Sequence, residues 1–377
     1  MKKTIRLALI TASLATASQA APFMAIGDSA ELFLTGSLGV RYDDNIFLAK
    51  SKTNDTIFNI TPGLELDFGK NSQLQGSLTL NYSWETYSDN SNLNTDLLGS
   101  DFVSKYDDGK MKLGFNAGYH ELNQNNADVR VANGLVRRDI FALGANGEVE
   151  ISQITAVGAA ISYNNENYKR VGYTDSESVT IPLNFYYKWT PKVDLSVGYT
   201  YTDYSVDFGQ DSKDHFFNVG ARGEFSPKFT GKLAVGLLTR KLDGTDPTTR
   251  RRGGDESTFG IDSSFSYELT PKTSLQFGAS NMYGTSPQAQ QQRNLTINGM
   301  VTSKIDEQWS VNAGLSWRSI DYFSRTDDYY ELTLGTTYVV NSNIRIIGGY
   351  TYRQYDSDLS ASEFKNNVFS IGAFIRY

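Results

Sequence analysis

The 377-residue chain contains no cysteine, two histidines and eight prolines. Without cysteine it can use neither disulfides nor thiolate metal sites to hold itself together. With only His120 and His215 available, imidazole chemistry has little to work with. His215 follows Asp214, but adjacent strand residues point to opposite faces, and no serine-centred motif accompanies the pair. No catalysis, cofactor or metal site is therefore expected. Apolar runs are also scarce. The longest, Leu7 to Ala17, falls short of the ~20 residues that a helix needs to cross a bilayer, and mean hydropathy is −0.39.

That one run has the flanks of an export signal. Lys2, Lys3 and Arg6 precede it, and Ser18-Gln19-Ala20 places small residues where a signal peptidase reads. Residues 1–20 thus read as a secretory signal peptide and 21–377 as a single mature domain. Removing those three cations leaves 32 of the 35 Lys and Arg against 42 Asp and Glu. An anionic balance of that size argues against nucleic acid as a partner.

What the chain does have is 23 Tyr, 21 Phe and 33 Gly, a composition suited to many strands, tight turns and interfacial aromatic rings. Three turns are near copies: Thr190-Pro191-Lys192, Ser226-Pro227-Lys228 and Thr270-Pro271-Lys272. They lie 36 and 44 residues apart. Each interval holds two long alternating strands rather than the four short strands of a propeller blade, so the repeat is a hairpin. Strands set at this spacing number about 18, or 16 or 20 if one weak hairpin is merged or split. They run to ~11 to 14 residues against the usual ~5 to 6. Connections on the side of both termini are tight, and the alternate ones are longer and polar, among them Asp43 to Asp55, Asn123 to Leu135 and Leu242 to Glu256. The expected fold is all-β, a transmembrane antiparallel β-barrel with short periplasmic turns and longer extracellular loops.

Parity assigns the two faces. Trp309, Val311, Ala313, Leu315 and Trp317 share one, and Ser310, Asn312, Gly314, Ser316 and Arg318 the other. The apolar set, with aromatics at both ends, suits lipid. The small polar set suits a lumen, which also receives Glu31, Glu65, Glu85, Lys112, Arg222, Asp262 and Glu331. A ring of this size is too wide for side chains to fill, and no loop looks long enough to plug it, although Leu242 to Glu256 could fold partly inward. Arg41, Arg240, Arg318 and Arg353 fall on the lumen side near the outer end. As pore-rim residues they could pair carboxylates of an acidic sugar, or they could be neutralised by Glu85, Glu331 and loop carboxylates. Arg250-Arg251-Arg252 lies in an outer loop, as a solvated segment or a site for lipopolysaccharide phosphates. Pro62 falls inside a strand, where a bulge is expected.

Two resemblances sharpen this reading. The last strand places Ser370, Gly372, Ile375 and Tyr377 as in the C-terminal insertion signal of bacterial outer-membrane proteins, which implies the barrel-assembly machinery as a partner. Gly39-Val40-Arg41-Tyr42-Asp43-Asp44-Asn45-Ile46-Phe47, with Asp55 and Thr61-Pro62-Gly63-Leu64-Glu65-Leu66, resembles the first hairpin of the outer-membrane beta-barrel porin 2 family. That family includes barrels of exopolysaccharide biosynthesis and export operons. The resemblance implies a location in the bacterial outer membrane among lipid and lipopolysaccharide. It also implies a porin-like channel for hydrophilic solutes, with carbohydrate or exopolysaccharide favoured. The competing reading is a non-conducting structural or cell-surface interaction barrel whose loops fold inward.

Overall fold

The computed structural model describes residues 21–245, 253–322 and 325–377. The expected signal peptide and Arg250-Arg251-Arg252 lie outside them. In chain order the strands are β1 (Met24–Ile26), β2 (Ala30–Asp43), β3 (Asp55–Phe68), β4 (Leu74–Tyr87), β5 (Thr95–Asp107), β6 (Met111–Asn123), β7 (Arg137–Ser152), β8 (Thr155–Tyr168), β9 (Ser176–Thr190) and β10 (Val193–Val206). They continue as β11 (Ser212–Ser226), β12 (Phe229–Leu242), β13 (Asp255–Thr270), β14 (Thr273–Thr285), β15 (Gln291–Lys304), β16 (Trp309–Tyr322), β17 (Thr326–Val339), β18 (Ile344–Ser357) and β19 (Phe364–Arg376). Strands β2 to β19 each pair antiparallel with both neighbours, and β19 meets β2 from Val368 opposite Asp43 to Arg376 opposite Thr35. The result is a closed 18-stranded barrel, the number expected from the hairpin repeat.

The short β1 escaped that repeat. Beyond Tyr377, which exchanges two backbone hydrogen bonds with Leu34, β2 continues past the end of β19. β1 folds back to pair Met24 with Leu32 and Ile26 with Ala30, covering this overhang. An edge left open there would present unpaired backbone groups.

The register confirms the two faces. Cross-strand partners share a side, so Trp309, Leu315 and Trp317 point outward with Tyr338, Leu332 and Tyr330, while Arg318 and Ser316 point inward with Tyr329 and Glu331. The tight turns at 153–154, 191–192, 227–228 and 271–272 each lie beside a register shift, at Glu150/Ser152, Val193/Asp194, Glu224/Ser226 and Glu268/Thr270. Here the extra residue restores the twist that a two-residue connection cannot supply.

Pro62 produces no bulge, contrary to expectation. Ile60 opposes Trp84 and Gly63 opposes Asn81 in one continuous register, and the ladder lapses only between them. Thr61 Oγ1 donates to Ser83 Oγ at 2.8 Å across the gap, so a lumen-side hydroxyl pair replaces the hydrogen bond that proline cannot donate. Pro182 sits in a similar lapse between β8 and β9, again without a shift.

Candidate functional site: the lumen and its outer lid

The interior wall is built from small residues and amides. Asn59 lies over Gly39, Asn81 over Gly99, Asn146 over Gly114, Asn116 over Gly144 and Asn312 over Gly335, each amide where a Cβ on the facing glycine would collide with it. The pairing follows from register, since Gly39 opposes Asn59 and Gly335 opposes Asn312. Glycine leaves room for the amide at these positions, and a side chain there would push it aside.

Toward the inner end the wall is charged. Arg222 on β11 extends to Glu148 on β7, four strands away around the ring, with Nη2 to Oε1 at 2.6 Å and Nη1 to Oε2 at 2.7 Å. Its Nε donates to Asp194 at 3.0 Å and its guanidinium lies 3.4 Å above the Tyr186 ring. With Lys112 and Lys188 these groups line a cavity of about 220 Å3. Arg376 is held by Glu65 and Asp67 two strands away.

The outer end differs from the expected open mouth. Loops 44–54 and 124–136 fold into the barrel. Leu48 is 3% exposed and packs with Ile320, Tyr355 and Phe364 on β16, β18 and β19, and Ala127 of the second loop joins the same cluster. Ile46 and Phe47 pack with Ile57 and Tyr87 on β3 and β4, the stretch of wall on the other side of the β19–β2 joint. Asn125 Nδ2 donates to Phe47 O at 2.9 Å, tying the two loops together. From the second loop Asp128 crosses the lumen to Arg318 on β16, receiving Nη1 at 2.9 Å and Nη2 at 2.7 Å. Arg130 lies 3.9 Å over the Tyr355 ring. Further round, Tyr173 donates to Arg130 O at 2.6 Å and Thr174 N to Pro287 O at 2.9 Å, so loops 169–175 and 286–290 join the same roof. The lumen is therefore lidded from outside by its own loops.

Two carboxylates hold the roof. Asp55, 1% exposed, accepts the backbone N–H groups of Thr56, Ser88, Asp89 and Asn90, and Asn90 Nδ2 as well. Asp44 accepts Lys52 Nζ at 2.6 Å and both the backbone N–H and Nδ2 of Asn367 at 2.7 Å. Burial alone would raise the Asp44 carboxyl, but these donors outweigh it and hold its pKa below the ordinary 3.8.

All four rim arginines face the lumen near the outer end, in different states. Arg318 is spent on Asp128. Arg240, 2% exposed, gives Nε and Nη2 to Asp214 and Nη1 to Gly284 O and Gln291. Arg353 makes one bond, Nε to Glu331 at 3.3 Å, and Arg41 approaches Glu85 at 3.8 Å. Arg41 and Arg353 line one chamber of about 70 Å3 under the lid, roofed by Ile46, Leu48 and Asn125. Asp128, Arg130 and Leu48 escaped the sequence reading. The signal available for them was the apolar content of two loops that read as polar, Ile46-Phe47-Leu48 and Val129 to Val136. Leu242, at the loop expected to turn inward, is buried, and Gly244 O accepts from Gln210.

The histidines are apart, as their parity requires. His120 Nε2 contacts Asp101 in the lumen at 3.0 Å, and His215 pairs with the Tyr199 hydroxyl on the lipid face at 2.7 Å. Among the described residues no group of three or more His, Asp or Glu is placed to hold a metal ion.

A closed antiparallel ring of long strands, apolar outside and polar within, defines a porin-like barrel of the outer-membrane type. Residues 205–377 match the model of the family described as Putative beta-barrel porin 2. This match joins the resemblance read in the first hairpin, which lies outside the matched residues. No curated protein matches the sequence. The fold is similar to that of a BenF-like porin from Pseudomonas fluorescens Pf-5, at 10% identity over 92% of this chain and 99% of that one, with a TM-score of 0.50. Outer membrane protein OpdK from Pseudomonas aeruginosa gives 9%, 92%, 99% and 0.48. The ferric citrate transporter FecA gives 12% identity and a TM-score of 0.46 over 86% of this chain, which spans 60% of FecA's length.

Proposed function

We propose that the protein is a lidded channel of the bacterial outer membrane that passes hydrophilic, hydroxyl-rich solutes, with carbohydrate and exopolysaccharide favoured over small ions. The observation that carries this reading is the interior wall. Neutral amides laid over glycine offer donors and acceptors to sugar hydroxyls. The lid is consistent with a gate because side-chain contacts hold it, and no separate folded domain among the described residues fills the ring. Beneath it, Arg41 and Arg353, which line one chamber, have hydrogen-bonding capacity left for an acidic sugar. In this reading the chain has no enzymatic role, the assembly machinery recognises Ser370, Gly372, Ile375 and Tyr377, and lipid and lipopolysaccharide surround the wall.

Liposome swelling with sugars of increasing size, together with planar-bilayer conductance, tests the proposal. Sugar entry should occur in the wild type and accelerate when loop 124–136 is shortened. The closed mouth itself favours a second reading, a non-conducting surface barrel. No swelling and no current in either form would establish that alternative.

A further inference from the structure

Register sets four inward side chains at one height on the outer wall. Arg318 on β16 opposes Tyr329 on β17, Tyr329 opposes Tyr355 on β18, and Tyr355 opposes Phe364 on β19. Tyr355 and Phe364 are stacked, with ring centroids 5.7 Å apart and planes 13° from parallel, and the Tyr329 ring lies 6.5 Å from that of Tyr355. The wall thus carries an aromatic shelf between two polar rows. On its outer side the hydroxyls of Tyr355 and Ser357 donate to Asp327 at 2.8 and 2.6 Å. On its inner side the same register aligns Glu331, Arg353 and Asn366.

The lid covers this shelf. Leu48 and Ala127 pack on it, and the Arg130 guanidinium lies 3.9 Å from the Tyr355 centroid and 5.1 Å from that of Phe364. Leu48 does so with φ at 51°, a left-handed backbone that a branched side chain rarely adopts and that release from the shelf would relax. Leu48 also lines the chamber of Arg41 and Arg353, so it is the partition between the rings and these arginines. The wall there has hydrogen bonds to spare: Arg41 Nε is buried without an acceptor and Asn366 Oδ1 without a donor.

Ring faces beside guanidiniums suit a sugar that carries a carboxylate. The C–H face of a pyranose stacks on aromatic planes, and arginine takes a carboxylate bidentately. Tyr355 and Arg353 stand two residues apart on one face of β18, ~7 Å along the strand, within the reach of one sugar unit and an arginine side chain. We propose that Tyr329, Tyr355 and Phe364 form a subsite for a uronic acid unit of a polysaccharide, its carboxylate on Arg353 and Arg41, and that Leu48 and Arg130 occupy the same place in its absence. Solute and lid then exclude one another, so the arriving sugar itself displaces the lid. This regulation rests on the lid being the gate of the proposed channel, whereas occupancy of the shelf needs no conduction.

The test is calorimetric titration of the detergent-solubilised barrel with trigalacturonate, paired with hydrogen exchange of loops 44–54 and 124–136. Saturating trigalacturonate should raise exchange in both loops. Because the lid lowers the fraction of barrels able to bind, the variant Leu48→Gly, Arg130→Ala should bind at least tenfold more tightly than wild type. Adding Tyr355→Leu and Phe364→Leu to that opened variant should weaken binding at least tenfold, and adding Arg353→Gln should remove its preference over neutral maltotriose. Heat-modifiable migration on gels checks that each variant folds. Equal affinity of the opened variant and wild type, or unchanged loop exchange at saturation, overturns the competition. Equal affinity with and without the rings overturns the shelf, and maltotriose bound as tightly as trigalacturonate overturns the arginine assignment. No binding by the opened variant overturns the site altogether. Neither readout needs a current, so a barrel that binds without conducting would fail the channel reading alone.

Discussion

Replacing Asp128 with alanine removes a salt bridge that carries loop 124–136 across the lumen to β16. The pair makes two charge-assisted hydrogen bonds at 2.9 and 2.7 Å, and its side chains are 20% and 27% exposed. Removing one partner of a fully buried pair costs about 3–5 kcal/mol, because the other charge is left without compensation. An exposed pair contributes about 0–1 kcal/mol. The partial exposure places this latch between the two, about 2–3 kcal/mol. At tenfold per 1.4 kcal/mol, the open-to-closed ratio of the lid should rise about 30- to 150-fold. The stacking of Arg130 on Tyr355 and the packing of Leu48 remain, so the loop should loosen without detaching. Single-channel recording in a planar bilayer reads the ratio as open probability. The charge swap Asp128→Arg, Arg318→Asp should recover much of the closure. An open probability for Asp128→Ala within twofold of wild type, in a barrel that still shows heat-modifiable migration, would refute the latch.

Acidification should loosen the other inward loop. The Asp44 carboxyl lies below its ordinary value, so its contribution is fully present above about pH 4 and is lost as pH falls through the depressed value. Loop 44–54 should therefore gain hydrogen exchange only below about pH 4, and unchanged protection there would refute the role given to Asp44. Thr61→Val, which removes the hydroxyl bridging the lapse beside Pro62, should cost about 1 kcal/mol in denaturant unfolding; an unchanged midpoint would mean that the bridge adds nothing. Cysteine at the fully exposed Val171 should react with an impermeant reagent on intact cells and cysteine at Lys228 should not, and equal labelling would contradict the orientation. Tyr377→Asp should deplete the heat-modifiable, inserted form, since it puts a charge in the closing strand at the membrane interface; undiminished insertion would remove the role assigned to the terminal aromatic.

The ring was legible because alternation, hairpin spacing and near-identical turns all report local geometry. Trp309 to Trp317 show their two faces in the order of the letters alone. The lid was not legible, because Asp128 meets Arg318 across 190 residues and nothing near either residue encodes the other. Pro62 misled because the rule that places proline at bulges leaves out the compensating hydroxyl on a neighbouring strand. The early end of the β13 to β14 ladder, at Ile261 opposite Asn281, was hidden for a similar reason. Both strands alternate normally, and Gln210 and Arg240, which bond Gln291 at the outer end of the next hairpin, lie on other elements. Of the four rim arginines, parity gave the side and the approximate depth, while their partners had to be read from the fold.

Every joint of the barrel links strands consecutive in the chain except that between β19 and β2. Hairpins can therefore form one after another at low cost in loop entropy, and a single long-range event remains, the meeting of the two ends. The roof depends on that event. Asn45 Nδ2 donates to Lys365 O, and Asp44 accepts from Asn367, both across this joint. Leu48 needs the β16, β18 and β19 wall in place. Assembly thus has an order imposed by connectivity: the ring closes first with its outer mouth open, and the loops settle into it afterwards.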